Sequence, residues 1–185
     1  RFRNYLENWL QVSLNEVSDR ITTKNKDNNQ NVLTISAQYG LISQLEYFNK
    51  SVSAKDVKGY YLLERNDFAY NKSYSNGYPM GAIKKLSRYE KGVVSTLYIC
   101  FRNKDSLNDD FLEYYFESGK HNKQIELYAQ EGARNHGLLN IGVNDFFSTE
   151  LYIPSLPEQQ KIASFFTAVD QKLTALKKKK ELLEQ

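Results

Sequence analysis

The sequence has very little of the chemistry on which disulfide-stabilised, metal-binding and catalytic proteins depend. Cys100 is its single cysteine, so neither a disulfide nor a cysteine metal site can form within the chain, which indicates the reducing cytosol. The two histidines, His121 and His136, have no His or Cys neighbour at metal-ligand spacing. The nine glycines form no nucleotide-binding motif, and none of the three prolines belongs to a nuclease or methyltransferase motif. We therefore expect no catalytic site, no metal and no cofactor.

Long hydrophobic runs are absent as well. No stretch of about 18 apolar residues exists and the N-terminus has no apolar signal core, so nothing predicts membrane insertion or export, and a cytoplasmic location is expected. A length of 185 residues suffices for one well-buried core with an attached element, but hardly for two full domains. The 14 tyrosines favour either a polar, contact-making surface or a strand-rich fold.

Charge is unevenly distributed although the net charge is only +3. Residues 58–91 contain seven basic and three acidic side chains, a local net charge of +4, with seven aromatic residues among them. Acidic residues instead concentrate in 105–117. A uniformly solvated surface does not require such polarity, so the basic stretch is a candidate binding surface.

Hydrophobic periodicity and turn residues predict an α+β domain with a mixed or antiparallel sheet. The predicted strands cover 9–12, 32–36, 60–63, 68–70, 81–86, 93–101, 138–141 and 150–153. The predicted helices cover 107–117 and 122–130, and Asn144 is expected to cap a single turn through Phe147. Polar residues 22–31 and the turn-rich residues 71–79 are predicted loops.

A helix that begins at Ser155 is the clearest local signal. Ser155 and Glu158 have capping-box spacing, and Pro157 occupies an early helical position. Beyond it, steps of four and three residues form a heptad seam: Ile162, Phe166, Val169, Leu173, Leu176, Lys180 and Leu183. Lys180 lowers the stability of such a seam but can define partner or register. We expect a projecting coiled-coil helix; the alternative is an amphipathic helix folded onto its own domain.

Three segments together resemble one half of a type I restriction–modification specificity subunit. They are WLQVSLNEV (9–17), NDFAYNKSYSNGYPMGAIKKL with GVVSTLYICF (66–86 and 92–101), and SLPEQQKIASFFTAVDQKL (155–173). LPEQQKIA (156–163) is similar to the start of that family's conserved spacer helix. The resemblance implies a linker remnant over 1–8, a DNA-reading target-recognition domain over 9–154 and a spacer helix over 155–185.

The same resemblance implies the function and the partners. The domain would read one half of a bipartite double-stranded DNA target, while methyltransferase and restriction subunits bound through the helix carry out the chemistry. A homodimer formed through the helix would mimic the intact subunit with its two domains. The chain departs from the family pattern because it contains one domain and one helix.

Candidate DNA contacts come from the charge and turn patterns. Base edges are read by donors and acceptors, and phosphates by cations. The leading base readers are Lys72, Ser73, Tyr74, Ser75, Asn76 and Tyr78, and a second set is Arg134, Asn135 and His136. The phosphate candidates are Lys58, Arg65, Lys84, Lys85 and Arg88. As alternatives, the loop 71–79 is a solvated hairpin tip, its tyrosines serve as anchors, and 134–136 is a helix-terminating turn.

A different class of function also fits the sequence. In this alternative the chain is a protein-interaction module whose helix recruits a partner, while the basic stretch binds RNA or an acidic surface without sequence preference.

Overall fold

The chain combines short antiparallel strands with helices, and one long helix follows the last strand. The computed structural model describes residues 2, 5, 7–36, 38–49, 56–129 and 139–184. The strands are β1 (Leu10–Ser13), β2 (Ser18–Ile21), β3 (Leu33–Ser36), β4 (Gly40–Ser43), β5 (Tyr61–Glu64), β6 (Phe68–Asn71), β7 (Ala82–Lys85), β8 (Lys91–Val94), β9 (Ile99–Asn103) and β10 (Glu150–Ile153). The helices are α1 (Leu14–Val17), α2 (Gln44–Phe48), α3 (Asp109–Glu117), α4 (Asn122–Tyr128), α5 (Val143–Phe147) and α6 (Leu156–Leu183).

A four-stranded antiparallel sheet with the order β2-β9-β6-β7 is the centre of the domain. Three antiparallel pairs surround it: β1 with β10, β3 with β4, and β5 with β8. Strands followed by helices and a final strand confirm the predicted α+β class.

Both faces of the central sheet are buried, as alternation along β6 shows. Phe68 and Tyr70 join the larger core cluster against α3 and α5, where Phe68 stacks on Phe101 at 5.2 Å and Tyr70 on Phe146 at 4.8 Å. Ala69 between them belongs to the second cluster, which lies against β3, β4, β5 and β8. Because successive side chains of a strand point to opposite faces, one strand contributes to both cores.

The prediction of one strand over 93–101 was wrong. This stretch forms the end of β8 and the start of β9, separated by a turn in which Tyr98 N–H donates to the carbonyl of Ser95 at 3.1 Å. Leu97 in this turn is 78% exposed. The apolar run gives no local sign of this turn. Strand β8 pairs with β5, whereas β9 pairs with β2 and β6, so the chain must change sheet between them.

Two smaller predictions also need correction. Gly142 rather than Asn144 is the N-cap of α5, so Asn144 lies within that helix. Within the described residues 139–141 there is an isolated bridge position but no strand.

The start of α6 is attached to the domain by a buried glutamine. Ser155 is the N-cap and a proline lies in the first turn as predicted, but the side chain of Ser155 makes no capping hydrogen bond and Glu158 is buried. Gln159, 1% exposed, accepts the backbone N–H of Asn108 at 2.8 Å and donates to the carbonyl of Pro154 at 2.9 Å. Gln159 therefore joins the first turn of α6 to the N-cap of α3.

Candidate nucleic-acid interface

Residues 71–79 connect β6 to β7 and contain a tight turn. Ser75 and Tyr78 exchange backbone hydrogen bonds of 3.3 and 2.8 Å, and Gly77 between them has a φ of +82°. Glycine adopts a positive φ without the steric strain of a side chain. The predicted loop is therefore present and has a defined shape.

A group of three side chains, which we term the Lys84 anchor, attaches this loop to α3. The hydroxyl of Tyr78 donates to a carboxylate oxygen of Glu117 at 2.7 Å, and the ammonium of Lys84 donates to both, at 2.9 Å to Tyr78 and 2.6 Å to Glu117. Burial alone would lower the pKa of Lys84, but the hydrogen bonds to Glu117 and Tyr78 outweigh it and raise the pKa above its ordinary value. Lys84 therefore remains charged at neutral pH, and Tyr78 is an anchor of the loop.

Lys85 is also neutralised within the domain. Its side chain is 5% exposed, and its ammonium contacts the carboxylates of Asp110 and, at 3.2 Å, Glu113. The prediction of Lys84 and Lys85 as phosphate contacts therefore needs correction. Both are buried and paired with acids of α3, so neither presents a free cation to a phosphate.

The three other phosphate candidates lie at the surface. Arg65 binds Glu90 through two guanidinium nitrogens at 2.8 and 2.6 Å, and Arg88 lies 3.6 Å from Glu46. Lys58 is exposed. Surface ion pairs of this kind contribute little to stability because water screens them, so exchanging a carboxylate for a phosphate has a small energetic cost.

The remaining loop candidates differ in what they offer to a ligand. Lys72 directs its ammonium to the carbonyl of Ile141 at 3.4 Å. Tyr74 is 63% exposed, and Asn76 is exposed as well. Two further candidates are partly buried: Ser73 and Ser75. Tyr74 and Asn76 are thus the most accessible side chains of the predicted set.

The second predicted set, Arg134, Asn135 and His136, lies outside the described residues. Leu139, the first described residue after this gap, donates its backbone N–H to the carbonyl of Lys72 at 3.0 Å. The chain therefore returns beside the loop 71–79.

The loop 71–79 forms one wall of a groove, and the sequence pattern did not predict the opposite wall. The β3–β4 connection and α2 contribute Gln38 and Tyr47, and the groove between them and the loop has a volume of about 380 Å³. Tyr47 makes edge contacts with Tyr39 and Phe48 at ring distances of 6.4 and 4.7 Å, and all three rings are partly exposed. Three aromatic residues within 38–48, a stretch to which the sequence pattern assigned no strand or helix, were the available signal.

Helix α6 packs on α3 over its first half. The ring of Phe166 lies 5.2 Å from that of Tyr114, whose hydroxyl donates to Asp170 at 2.7 Å. Ile162 packs against the larger core cluster. These contacts determine the direction in which the helix leaves the domain.

Beyond these contacts the predicted seam is open to solvent. Val169, Leu173, Leu176 and Leu183 are 38%, 50%, 54% and 77% exposed. Lys180, the polar member of the seam, pairs with Glu184 at 3.5 Å. The alternative of a helix folded onto its own domain therefore does not describe the second half of α6.

The side chains of His121 and Cys100 are components of the core. His121 is 2% exposed with its Nε2 3.1 Å from the hydroxyl of Thr149, and burial lowers its pKa to about 4. Burial raises the pKa of the Cys100 thiol to about 12. Within the described ranges no cluster of His, Cys, Asp and Glu could hold a metal ion, and no helix there has the length and apolar character that crossing a membrane needs.

Comparison with known proteins agrees with this architecture. Residues 7–185 match the family model described as type I restriction modification DNA specificity domain, whereas no curated protein matches the sequence. The fold is similar to that of a type I restriction-modification system S subunit from M. genitalium, with a TM-score of 0.60 and 16% identity over 95% of this chain and 42% of that one.

Two further solved structures share the fold. The HsdS subunit from Thermoanaerobacter tengcongensis has a TM-score of 0.56 and 18% identity over 92% of this chain and 39% of its own. A chain from a study of complex assembly and conformational transition of the type I R-M system has a TM-score of 0.58 and 19% identity over 94% of this chain and 41% of that one. This chain thus spans about two fifths of the structures that it resembles.

Proposed function

This chain belongs to the family of type I restriction modification DNA specificity domains, and we propose that it recognises one half of a bipartite DNA target and directs an adenine methyltransferase and restriction complex to it through α6. The specificity subunits of this family are not catalytic. Methyl transfer and DNA cleavage would therefore belong to the partner subunits.

The observation that carries this proposal is the exposed apolar seam of α6. The buried Gln159 attaches the first turn of the helix to the domain and its first half rests on α3, yet its seam from Val169 to Leu183 is exposed to solvent. An amphipathic helix gains most of its stability by burying its apolar face, so this seam favours a partner helix. In this proposal residues 9–154 read DNA, 155–185 form the spacer helix and 1–8 are a linker.

The DNA contacts follow the corrected site. Tyr74 and Asn76, with Lys72, Ser73 and Ser75 beside them, would face base edges, while Lys58, Arg65 and Arg88 would meet phosphates. Arg134, Asn135 and His136 remain a second reading set in this proposal, since arginine can bond guanine and asparagine adenine in the major groove.

The partners proposed for α6 are the methyltransferase and restriction subunits and a second copy of this chain. Sedimentation velocity tests the second copy. Leu173→Lys, in the seam, is expected to shift the protein from dimer to monomer, whereas Leu182→Lys, an exposed residue one position off the seam, leaves the dimer intact. A wild-type chain that remains monomeric at high concentration would exclude the dimer.

Sequencing of methylated bases in cells tests the function as a whole. Cells that express this chain with its methyltransferase are expected to carry methylated adenines in one two-part sequence, which is absent without the chain. If methylation is unchanged and the protein instead retains RNA of mixed sequence, the alternative of a non-specific interaction module is correct.

A further inference from the structure

We infer that the groove between the loop 71–79 and α2 reads base edges of the DNA duplex, with Gln38 and Asn76 as specificity-determining residues on its opposite walls. This inference rests on the proposed function; it keeps the predicted reader Asn76 and adds Gln38, which the sequence pattern did not indicate.

The first observation is that the groove is polar without being charged. Amides and hydroxyls line it, among them Gln38, Asn76, Tyr47 and Tyr74, and none of the described lining residues carries a charge. Phosphate contacts depend on cations, whereas neutral amides and hydroxyls both donate to and accept from base edges. The chemistry of the groove therefore fits bases rather than backbone.

The second observation is that these groups have no hydrogen-bond partner among the described residues. Within the described part of the chain, the side-chain hydrogen bonds of the groove are made by Ser36 and Asn71, and none involves the amides of Gln38 and Asn76 or the hydroxyls of Tyr47 and Tyr74. Neighbouring polar groups are occupied, since the hydroxyl of Ser36 accepts the backbone N–H of Tyr39 at 3.2 Å. A carboxamide can bond adenine through two hydrogen bonds in the major groove, so two free amides facing one groove are suited to that base.

The third observation is that both walls have a firm attachment. The loop is held by the Lys84 anchor. On the other side the hydroxyl of Tyr89 donates to Glu46 at 2.7 Å and accepts the backbone N–H of Ser43 at 3.1 Å, which attaches the start of α2 to the segment before β8. Readers on rigid supports discriminate better, because small displacements remove the hydrogen bonds.

An exposed cation is paired with α2, the helix that contributes Tyr47 to the groove wall. Arg88 contacts Glu46 at 3.6 Å, next in sequence to Tyr47 of the groove wall. In this inference Arg88 would meet a phosphate while the neutral groove meets the bases, which is the usual division between positioning and specifying contacts.

Selection from a library of randomised DNA duplexes, with the full chain at low salt, tests the inference. The wild-type chain is expected to enrich a sequence motif, and Gln38→Ala and Asn76→Ala each to lose discrimination at one or two positions by about 5- to 150-fold. Gln171→Ala, which removes an exposed glutamine on α6, is the matched control and retains the wild-type motif. Thermal unfolding of all three variants should stay close to wild type, because each side chain is exposed.

The outcomes separate the inference from the proposed function. If the wild-type chain enriches a motif that Gln38→Ala and Asn76→Ala leave unchanged, the groove does not read bases although the chain does. If the wild-type chain enriches no motif, the proposed function itself fails. If the two variants weaken binding to a single-stranded RNA library but not to duplexes, the groove binds unstacked bases and the inference is wrong.

Discussion

Replacing Lys84 by methionine tests whether its charge acts inside the domain or on DNA. The structure places its side chain, 7% exposed, against Glu117 and Tyr78, so the change removes an internal ion pair and leaves Glu117 without its cation. Removing one partner of a fully buried pair costs about 3–5 kcal/mol. Glu117 is 34% exposed and can be hydrated, so we expect a smaller loss of about 2 kcal/mol in the free energy of unfolding. For a chain of this size that lowers Tm by about 6 °C.

The DNA readout is the salt dependence of binding. Each cation that neutralises a phosphate contributes about 0.9 to the slope of log K against log salt concentration. Because Lys84 faces α3, Lys84→Met should leave this slope within about 0.3 of wild type, even where displacement of the loop lowers affinity. Thermal unfolding measures the change in Tm, and fluorescence titration over a range of salt concentrations measures the salt slope.

Arg88→Met is the matched control for this experiment. It removes a cation whose side chain is 44% exposed and whose ion pair with Glu46 lies at the surface. It should change stability by less than about 1 kcal/mol and lower the salt slope by about 0.9. The reasoning is refuted if Lys84→Met lowers the slope by about 0.9 while Tm remains unchanged.

Three other predictions concern the core, the loop and the helix. Burial holds the pKa of His121 at about 4 against 6.5 when unfolded, so its contribution to folding stability is complete above pH 6.5 and is lost as the pH falls towards 4. In urea unfolding, the wild type should therefore lose up to about 3 kcal/mol more of its free energy of unfolding than His121→Gln between pH 7.5 and pH 4, and equal losses would contradict this. Gly81 has a φ of +75°, and a Cβ there would overlap the carbonyl oxygen of Asn71. Gly81→Ala should therefore lower the denaturation midpoint by the equivalent of about 1–3 kcal/mol, and an unchanged midpoint would count against backbone strain at this position. Leu176→Lys should abolish capture of the methyltransferase in a pull-down. Because Leu176 is 54% exposed, the change should leave Tm within about 2 °C of wild type. Retained capture would exclude the seam as the docking surface.

Much of the fold could be predicted because its signals are local. Strand β10 has the predicted bounds, and α6 begins at its predicted N-cap with proline in the first turn. Periodicity and capping act over a few residues, so they can be read along the chain. Where a local pattern was ambiguous the prediction failed: the apolar run 93–101 contains a turn at Ser95, since apolar character alone does not show where the chain changes sheet.

The candidate site was only partly predictable for a different reason. The turn residues of 71–79 identified the loop, and the aromatic residues of 38–48 were a signal for a surface, but no local pattern indicated that Gln38 and Tyr47 would face that loop. The two walls are brought together by the packing of β3, β4 and α2 beside the central sheet, and such contacts between distant segments have no local signature.

What the sequence alone determined, then, was the α+β class, the specificity family and a helix with an apolar seam, because these follow from periodicity, turn chemistry and motif order. Tertiary structure alone decided which charges are available. The basic stretch 58–91 and the acidic stretch 105–117 appear in the sequence as separate blocks, yet Lys84 and Lys85 pair with Glu117, Asp110 and Glu113 across the contact between β7 and α3. Whether a lysine meets DNA or a neighbouring carboxylate depends on which element packs against its strand, and that is a property of the folded chain.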